Sequence, residues 1–225
     1  MGVQEYAEMK TQSPISKDAA MTARVDEVAR HIADATGQKF DWEFTLFDSK
    51  EVNAWCLPGG KVGVYTGLIP YAKTNAGLAA VIGHEVAHAV MRHSGSRATE
   101  QLLLAGVAAG ADLTADQLLS NPSLKPYLMA AIGLTSKLGV VLPFSRGQEA
   151  EADAVGLQYM AKAGYDPSEA VALWKRMAQQ GSEPPEILSD HPSSDSRIEA
   201  LQNLQANALA LRAQSGSPIA TVNLQ

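Results

Sequence analysis

The segment 75–93 constrains this chain more than any other, because it puts charged groups on a helix that has no polar face. Ala79, Ala80, Val81, Ile82, Val86, Ala87, Ala89 and Val90 surround its axis on nearly all sides. A helix apolar all round belongs inside a fold rather than on its surface. Yet His84, Glu85 and His88 stand in its middle. Burying an imidazole, a carboxylate and a second imidazole without partners is costly, so the fold has to bring compensating groups to them. His84 and His88 are i and i+4, one turn apart on one face, and both rings can reach a single metal ion. Glu85 is offset from that face, beside the position such a metal leaves open, where it can take a proton from water. Zinc suits imidazole and carboxylate ligands with a fourth position left to water.

A catalytic zinc of this kind takes a third protein ligand. The long histidine form of the HExxH motif requires Gly at 91 and His at 94, but the chain has Met91 and Ser94. His93 falls one residue short and reads as a helix-end histidine near the C-terminal dipole. The better source lies downstream in Glu149-Ala150-Glu151-Ala152-Asp153. In a helix Glu149 and Asp153 share a face and Glu151 points away. One of the two carboxylates can bind the metal while the other receives the free N–H of a ligand histidine and fixes its tautomer.

Around these motifs the periodicity predicts an α+β chain, mostly helical, with a small sheet next to the HExxH helix. From Ser16, residues Met21, Val25, Val28, Ile32 and Ala35 recur at helical spacing up to Gly37. Phe40, Trp42, Phe44 and Leu46 then alternate as in a half-buried strand. Residues 52–56 and 61–66 read as two more strands, joined by the turn chemistry of Pro58-Gly59-Gly60. A short helix is expected at 67–73, and apolar helical stretches at 98–111 and 124–141. Ser145 and Gln148 form a capping box for the helix that carries Glu149, with Gly164 at its end. Asp166-Pro167-Ser168-Glu169 starts another helix that stops at Gly181, and a last helix is expected near 194–213. We therefore expect a loosely ordered segment at 1–15, one domain over 16–213 and an extended tail at 214–225.

With 225 residues, 46% of them apolar, the chain can build a sizeable core. A net charge of −6 and a pI near 5.4 argue against a nucleic-acid partner. Cys56 is the only cysteine, so no intramolecular disulfide forms. Polar sequence follows Met1-Gly2 at once, without the basic start and apolar core of a signal segment. The apolar run 102–111 is too short to span a bilayer, and 127–144 contains Ser136 and Lys137. These features fit a soluble molecule that can still associate with a membrane.

HExxH followed by ExxxD, with Asn53-Ala54 and Pro58-Gly59-Gly60 ahead and His191-Pro192 behind, resembles the M48 metalloendopeptidases over about 14–212. That family includes the CAAX-processing proteases, the bacterial heat-shock membrane protease, and soluble or lipid-anchored periplasmic quality-control members. Lacking the multiple spans of the first two, this chain is closer to the periplasmic or mitochondrial-inner-membrane-type branch. The resemblance implies a gluzincin-type zincin domain with one Zn2+ per chain on His84, His88 and Glu149. It also implies catalysis by Glu85, with Asp153 behind the ligands. The expected function is endopeptidase cleavage of extended, unfolded or misassembled polypeptides, with Glu85 as general base to a zinc-activated water. The alternative is a latent protease acting mainly as a chaperone-like binding protein. Expected surroundings are the periplasm or a membrane surface, with outer-membrane assembly as a candidate association.

Amide hydrolysis places negative charge on the carbonyl oxygen, so a donor is expected near the metal. His191 and Arg197 are the candidates, and in the family the His-Pro segment and the following arginine lie beside the active site. Arg197 falls in the first turns of the last helix, where a cation opposes the dipole and so points to a specific acceptor. His191 has a second candidate role, because an imidazole carried by a loop can fill the fourth ligand position and hold the enzyme latent. The hairpin around Asn53, Ala54 and Val64 is expected to bind an extended substrate as an added strand through main-chain hydrogen bonds.

Overall fold

A computed structural model describes residues 2–93, 145–179, 187–191 and 195–224. Asp18 accepts a hydrogen bond from the Met21 amide and so caps α2 (Ala19–Thr36), which stops at Gly37 in the left-handed conformation (φ 66°). Its buried face is Val25, Val28, Ala29, Ile32 and Ala33. Strands β1 (Glu43–Phe47), β2 (Ala54–Leu57) and β3 (Lys61–Tyr65) form a sheet in the order β1-β3-β2. β2 and β3 are an antiparallel hairpin turned by Gly59 and Gly60, both at φ above 90°. β1 pairs with β3 in parallel, Leu46 opposite Val64. That puts β3 in the middle of the sheet. β1 starts later than the alternation suggests: Phe40 and Trp42 lie ahead of it and pack on each other at 5.2 Å between ring centroids.

A single 3-10 turn (Thr66–Leu68) and the short α3 (Ile69–Ala72) lead into α4 (Asn75–Val90). Thr74 caps α4 by accepting from the Gly77 amide, and every residue from Asn75 to Ala89 is buried. The apolar surround of the HExxH motif thus has its expected consequence. α5 (Arg146–Lys162) begins with the expected capping box between Ser145 and Gln148. α4 and α5 meet glycine to glycine: a Cβ on Gly156 would lie 2.8 Å from the backbone nitrogen of His84, and one on Gly83 2.9 Å from the Gly156 carbonyl oxygen. Only residues without side chains let these helices approach so closely, and the contact is immediately beside the first histidine.

α6 (Ser168–Ala178) starts one residue later than expected, with Pro167 rather than Asp166 at the cap position, and Asp166 accepts from the Ser168 amide at 3.0 Å. α7 (Ile187–Asp190) and α8 (Asp195–Gln214) complete the described helices. The stretches 98–111 and 124–141 lie outside the described residues. Among the described residues no helix is long and apolar enough to cross a membrane.

Both ends of the chain depart from expectation. Within 1–15 there is a helix, α1 (Gly2–Gln12), anchored by one aromatic residue. Tyr6 is buried, its hydroxyl lies 2.5 Å from the Thr45 hydroxyl, and its ring meets Trp55 edge-on. Ile15 then bridges Phe47, covering the outer side of β1. At the other end, residues 219–224 are extended but bonded to the start of α4. Asn75 donates to the Ala220 carbonyl and accepts from the Val222 amide, and the Leu224 amide donates to the Lys73 carbonyl.

Candidate metal centre

The buried α4–α5 crossing brings Glu149, in the first turn of α5, against both histidines of α4. His84 Nε2 and His88 Nε2 are 3.1 Å apart. Glu149 Oε2 lies 3.5 Å from His84 Nε2, and its Oε1 lies 3.3 Å from His88 Nε2. His191 follows α7 and is held by a bond from its amide to the Ile187 carbonyl. Its Nδ1 completes the group at 3.2 Å from His84 Nε2 and 2.9 Å from Glu149 Oε1. One ligand atom from each of these four buried residues falls within 4.8 Å of all the others.

Behind His84 the supporting groups are charged and buried. Its Nδ1 faces Asp153 Oδ1 at 3.0 Å. Arg197 grips Asp153 with two bonds, Nε to Oδ2 at 2.5 Å and Nη2 to Oδ1 at 2.8 Å. Its Nη1 reaches Glu149 Oε2 at 2.6 Å and the His191 carbonyl at 3.3 Å. The guanidinium also lies 3.9 Å from the centroid of the Trp174 ring, a cation–π contact. Burial and the Arg197 charge pull the His84 pKa down, but hydrogen bonds to Asp153 and Glu149 outweigh them and raise it to about 9. His88 goes the other way, to about 3, chiefly through burial, with His84 and His191 adding to the push. Two imidazoles this close do not both become cationic. Burial alone would raise the Glu149 and Asp153 pKa values. The imidazoles around Glu149, and Arg197 and His84 beside Asp153, instead hold both carboxyls well below the usual range.

The donor set fits zinc. Ligand bonds of about 2.0–2.1 Å at tetrahedral angles place neighbouring donor atoms about 3.3 Å apart. Five of the donor contacts here, counting either oxygen of Glu149, run from 2.9 to 3.5 Å, and one donor atom from each residue keeps the set within 4.8 Å. Imidazole nitrogens across such gaps need either a proton or a cation between them, and a cation serves all of them at once.

The sequence comparison agrees with that geometry: the model of peptidase family M48 matches residues 16–205. This chain belongs to peptidase family M48. It is 37% identical over 188 residues to the mitochondrial metalloendopeptidase OMA1 of Arabidopsis thaliana and 35% identical over 198 residues to that of Schizosaccharomyces pombe. It is 28% identical over 212 residues to the beta-barrel assembly-enhancing protease of Yersinia pestis. These matches cover 83%, 86% and 90% of this chain but only 36%, 56% and 43% of the relatives, which are therefore much longer proteins.

In this M48 chain Glu85 is buried on α4, and its Oε1 lies 3.4 Å from His191 Nε2. It is also close enough to β2 to reinforce the upward push that burial gives the Cys56 thiol pKa. β2 therefore runs beside the candidate base. Among the described residues no strand pairs with the outer side of β2, and the Val52 carbonyl just ahead of it accepts from Ile187, tying α7 and His191 to that edge. Asn53 and Ala54 lie along this edge. Val64 does not: it sits on the central strand, paired to Leu46 on one side and Ala54 on the other, with its side chain 1% exposed. A residue paired on both sides has no backbone groups left for an added strand, which corrects the expectation for Val64.

Two other expectations change. His93 is not a spectator at a helix end. α4 stops at Val90, Arg92 takes a left-handed conformation (φ 60°), and His93 folds back with Nδ1 3.0 Å from His88 Nδ1. Glu151 does not point away from the site but meets His93 Nε2 at 3.1 Å.

Proposed function

We propose that this M48 chain is a zinc-dependent endopeptidase with its metal on His84, His88 and Glu149, hydrolysing extended, unfolded or misassembled polypeptides. The observation that carries this reading is the convergence of two imidazoles and a carboxylate at tetrahedral spacing, beside the buried carboxylate of Glu85. Bound zinc supplies a Lewis acid that polarises the scissile carbonyl and lowers the pKa of a water molecule. Glu85 removes the proton from that water and delivers it to the departing amine. Asp153 holds the His84 ring so that its Nε2 faces the ligand cluster. Arg197 acts on the reaction at one remove, because its donors already hold Asp153, Glu149 and the His191 carbonyl. An extended substrate runs along the outer side of β2 at Asn53 and Ala54, so main-chain pairing selects unfolded chain rather than a particular side chain.

His191 occupies the fourth corner of the ligand cluster. In that place it restrains the site, and once displaced its imidazole can donate to the oxyanion. His191→Ala separates the two roles: faster basal proteolysis identifies a plug, a large loss identifies a donor, and an unchanged rate removes both. The general base is tested by Glu85→Gln, which should abolish cleavage of an unstructured protein such as casein while zinc stays bound. Retained cleavage would refute the assignment. For its setting we propose the periplasm or a membrane surface, with polypeptides of an outer-membrane assembly as substrates. The relatives' printed names support both a β-barrel assembly role and a mitochondrial one. Cell fractionation of the tagged full-length protein decides between them.

A further inference from the structure

We propose that His93 is a positioning residue that fixes His88 in its ligating tautomer, with Glu151 as the far end of the same hydrogen-bonded chain. The inference rests on the reading that His84 and His88 hold zinc.

The protons along this chain can be placed in only one way. His88 Nε2 faces His84 and Glu149 at 3.1 and 3.3 Å, so that nitrogen is the ligand and must be free of hydrogen. A neutral imidazole then carries its proton on Nδ1. His88 Nδ1 lies 3.0 Å from His93 Nδ1, so His88 donates and His93 accepts. His93 in turn carries its proton on Nε2, which donates to Glu151 Oε2 at 3.1 Å. Glu151, as a carboxylate, only accepts, and so closes the chain at the solvent end. The reverse direction would require a doubly protonated His93 or a protonated Glu151, and would put a proton on the His88 nitrogen that faces the cluster. The chain therefore selects the tautomer that ligates.

The backbone explains how His93 gets there. On an uninterrupted helix, five residues turn the side chain about 140° away from His88. Arg92 at φ 60° ends the helical path and returns the ring to within 4.9 Å of the His88 ring, centroid to centroid, edge-on. His93 is buried there, whereas the Glu151 side chain is 49% exposed. His84 gets the same service in one step, from Asp153 at 3.0 Å.

The test measures zinc affinity by competition with a chromogenic chelator on the purified full chain and its variants. His93→Ala is expected to weaken zinc binding about 10- to 100-fold, the usual effect of losing an orienting partner. His93→Asn puts a side-chain carbonyl where the ring's Nδ1 was and should recover most of that loss, a rescue that a merely space-filling role would not give. Glu151→Ala should weaken zinc by less than His93→Ala, because water can take the exposed end of the chain. An affinity of His93→Ala within about threefold of the parent overturns the proposal, and so does a His93→Asn as weak as His93→Ala. If His93→Ala fails to fold, His93→Leu, which fills the space without an acceptor, decides, and parent-like affinity in it overturns the proposal. A parent that takes up no zinc, or a His88→Ala variant that keeps parent affinity, overturns the reading of the site itself. Zinc-binding parent protein with an indifferent His93→Ala overturns this inference alone.

Discussion

His84 and His88 stand one turn apart on the same buried helix, yet their supports differ in kind. Behind His84 lie Asp153, Arg197 and Trp174, with Asp153 and Arg197 both almost closed to solvent. Behind His88 lies a second imidazole, His93, and then Glu151 with half its side chain in water. A carboxylate buried at the first place needs a cation to offset its lost hydration, and Arg197 supplies it with two bonds. At the second place the histidine spacer carries the hydrogen bond out to a carboxylate that stays hydrated, so no arginine is needed there. In the proposed site these are two solutions to one requirement, a ligand histidine whose outer nitrogen is held as a donor.

The largest contrast should appear on removing the two carboxylates. Asp153→Ala leaves Arg197 buried without its bidentate partner and should cost about 3–5 kcal/mol in urea unfolding of the metal-free protein. Equal losses from Asp153→Ala and Glu151→Ala would erase the distinction between the two supports. A second, smaller effect is expected at the helix crossing on the His84 side. Gly156→Ala forces a methyl group against the backbone of Gly83 and His84 and should cost about 1–3 kcal/mol in the same measurement. It should also weaken zinc by moving His84 relative to Glu149, while the His93–Glu151 distance stays as it is. Third, Glu151→Ala should change the unfolding free energy by less than about 0.5 kcal/mol, as for exposed polar positions in general. The smallest effect is expected at Cys56. Burial, helped by Glu85, raises its thiol pKa, so the reactive thiolate stays scarce as pH rises through neutrality and beyond. Alkylation by iodoacetamide should be slow in the parent and equally slow in Glu151→Ala, and faster in Asp153→Ala as its folded state opens more often.

The parts of this structure legible in the sequence are those written in local chemistry. The all-apolar surround of His84-Glu85-Val86-Ala87-His88 announced a buried helix. Ser145 with Gln148 marked the start of α5, and Pro58-Gly59-Gly60 marked the β2–β3 turn. Glu149 and Asp153 share a face by spacing, and both were anticipated at the site. The parallel pairing of β1 with β3 was not legible, because register between separate strands depends on what else packs on the sheet. α1 escaped notice because it is held by the single buried aromatic Tyr6 and an ion pair from Lys10 to Glu43, and shows no run of apolar residues at helical spacing. His93 was misread because the reading assumed straight helical geometry, and the left-handed turn at Arg92, a residue with no special preference for it, redirects the ring to meet Glu151. Val64 was misread because a hairpin alone does not tell which of its strands will lie at the edge.

The order of the ligands along the chain has a consequence for synthesis. When the ribosome has finished α4, the nascent polypeptide holds two imidazoles and the carboxyl group of Glu85 but neither Glu149 nor Asp153. Glu149 arrives some sixty residues later by its number, Arg197 later still, and the start of α4 is clipped shut only by residues 219–224. A chain made only as far as α4 thus carries the motif without its buried partners, and the proposed site is complete only once α8 and residues 219–224 have followed.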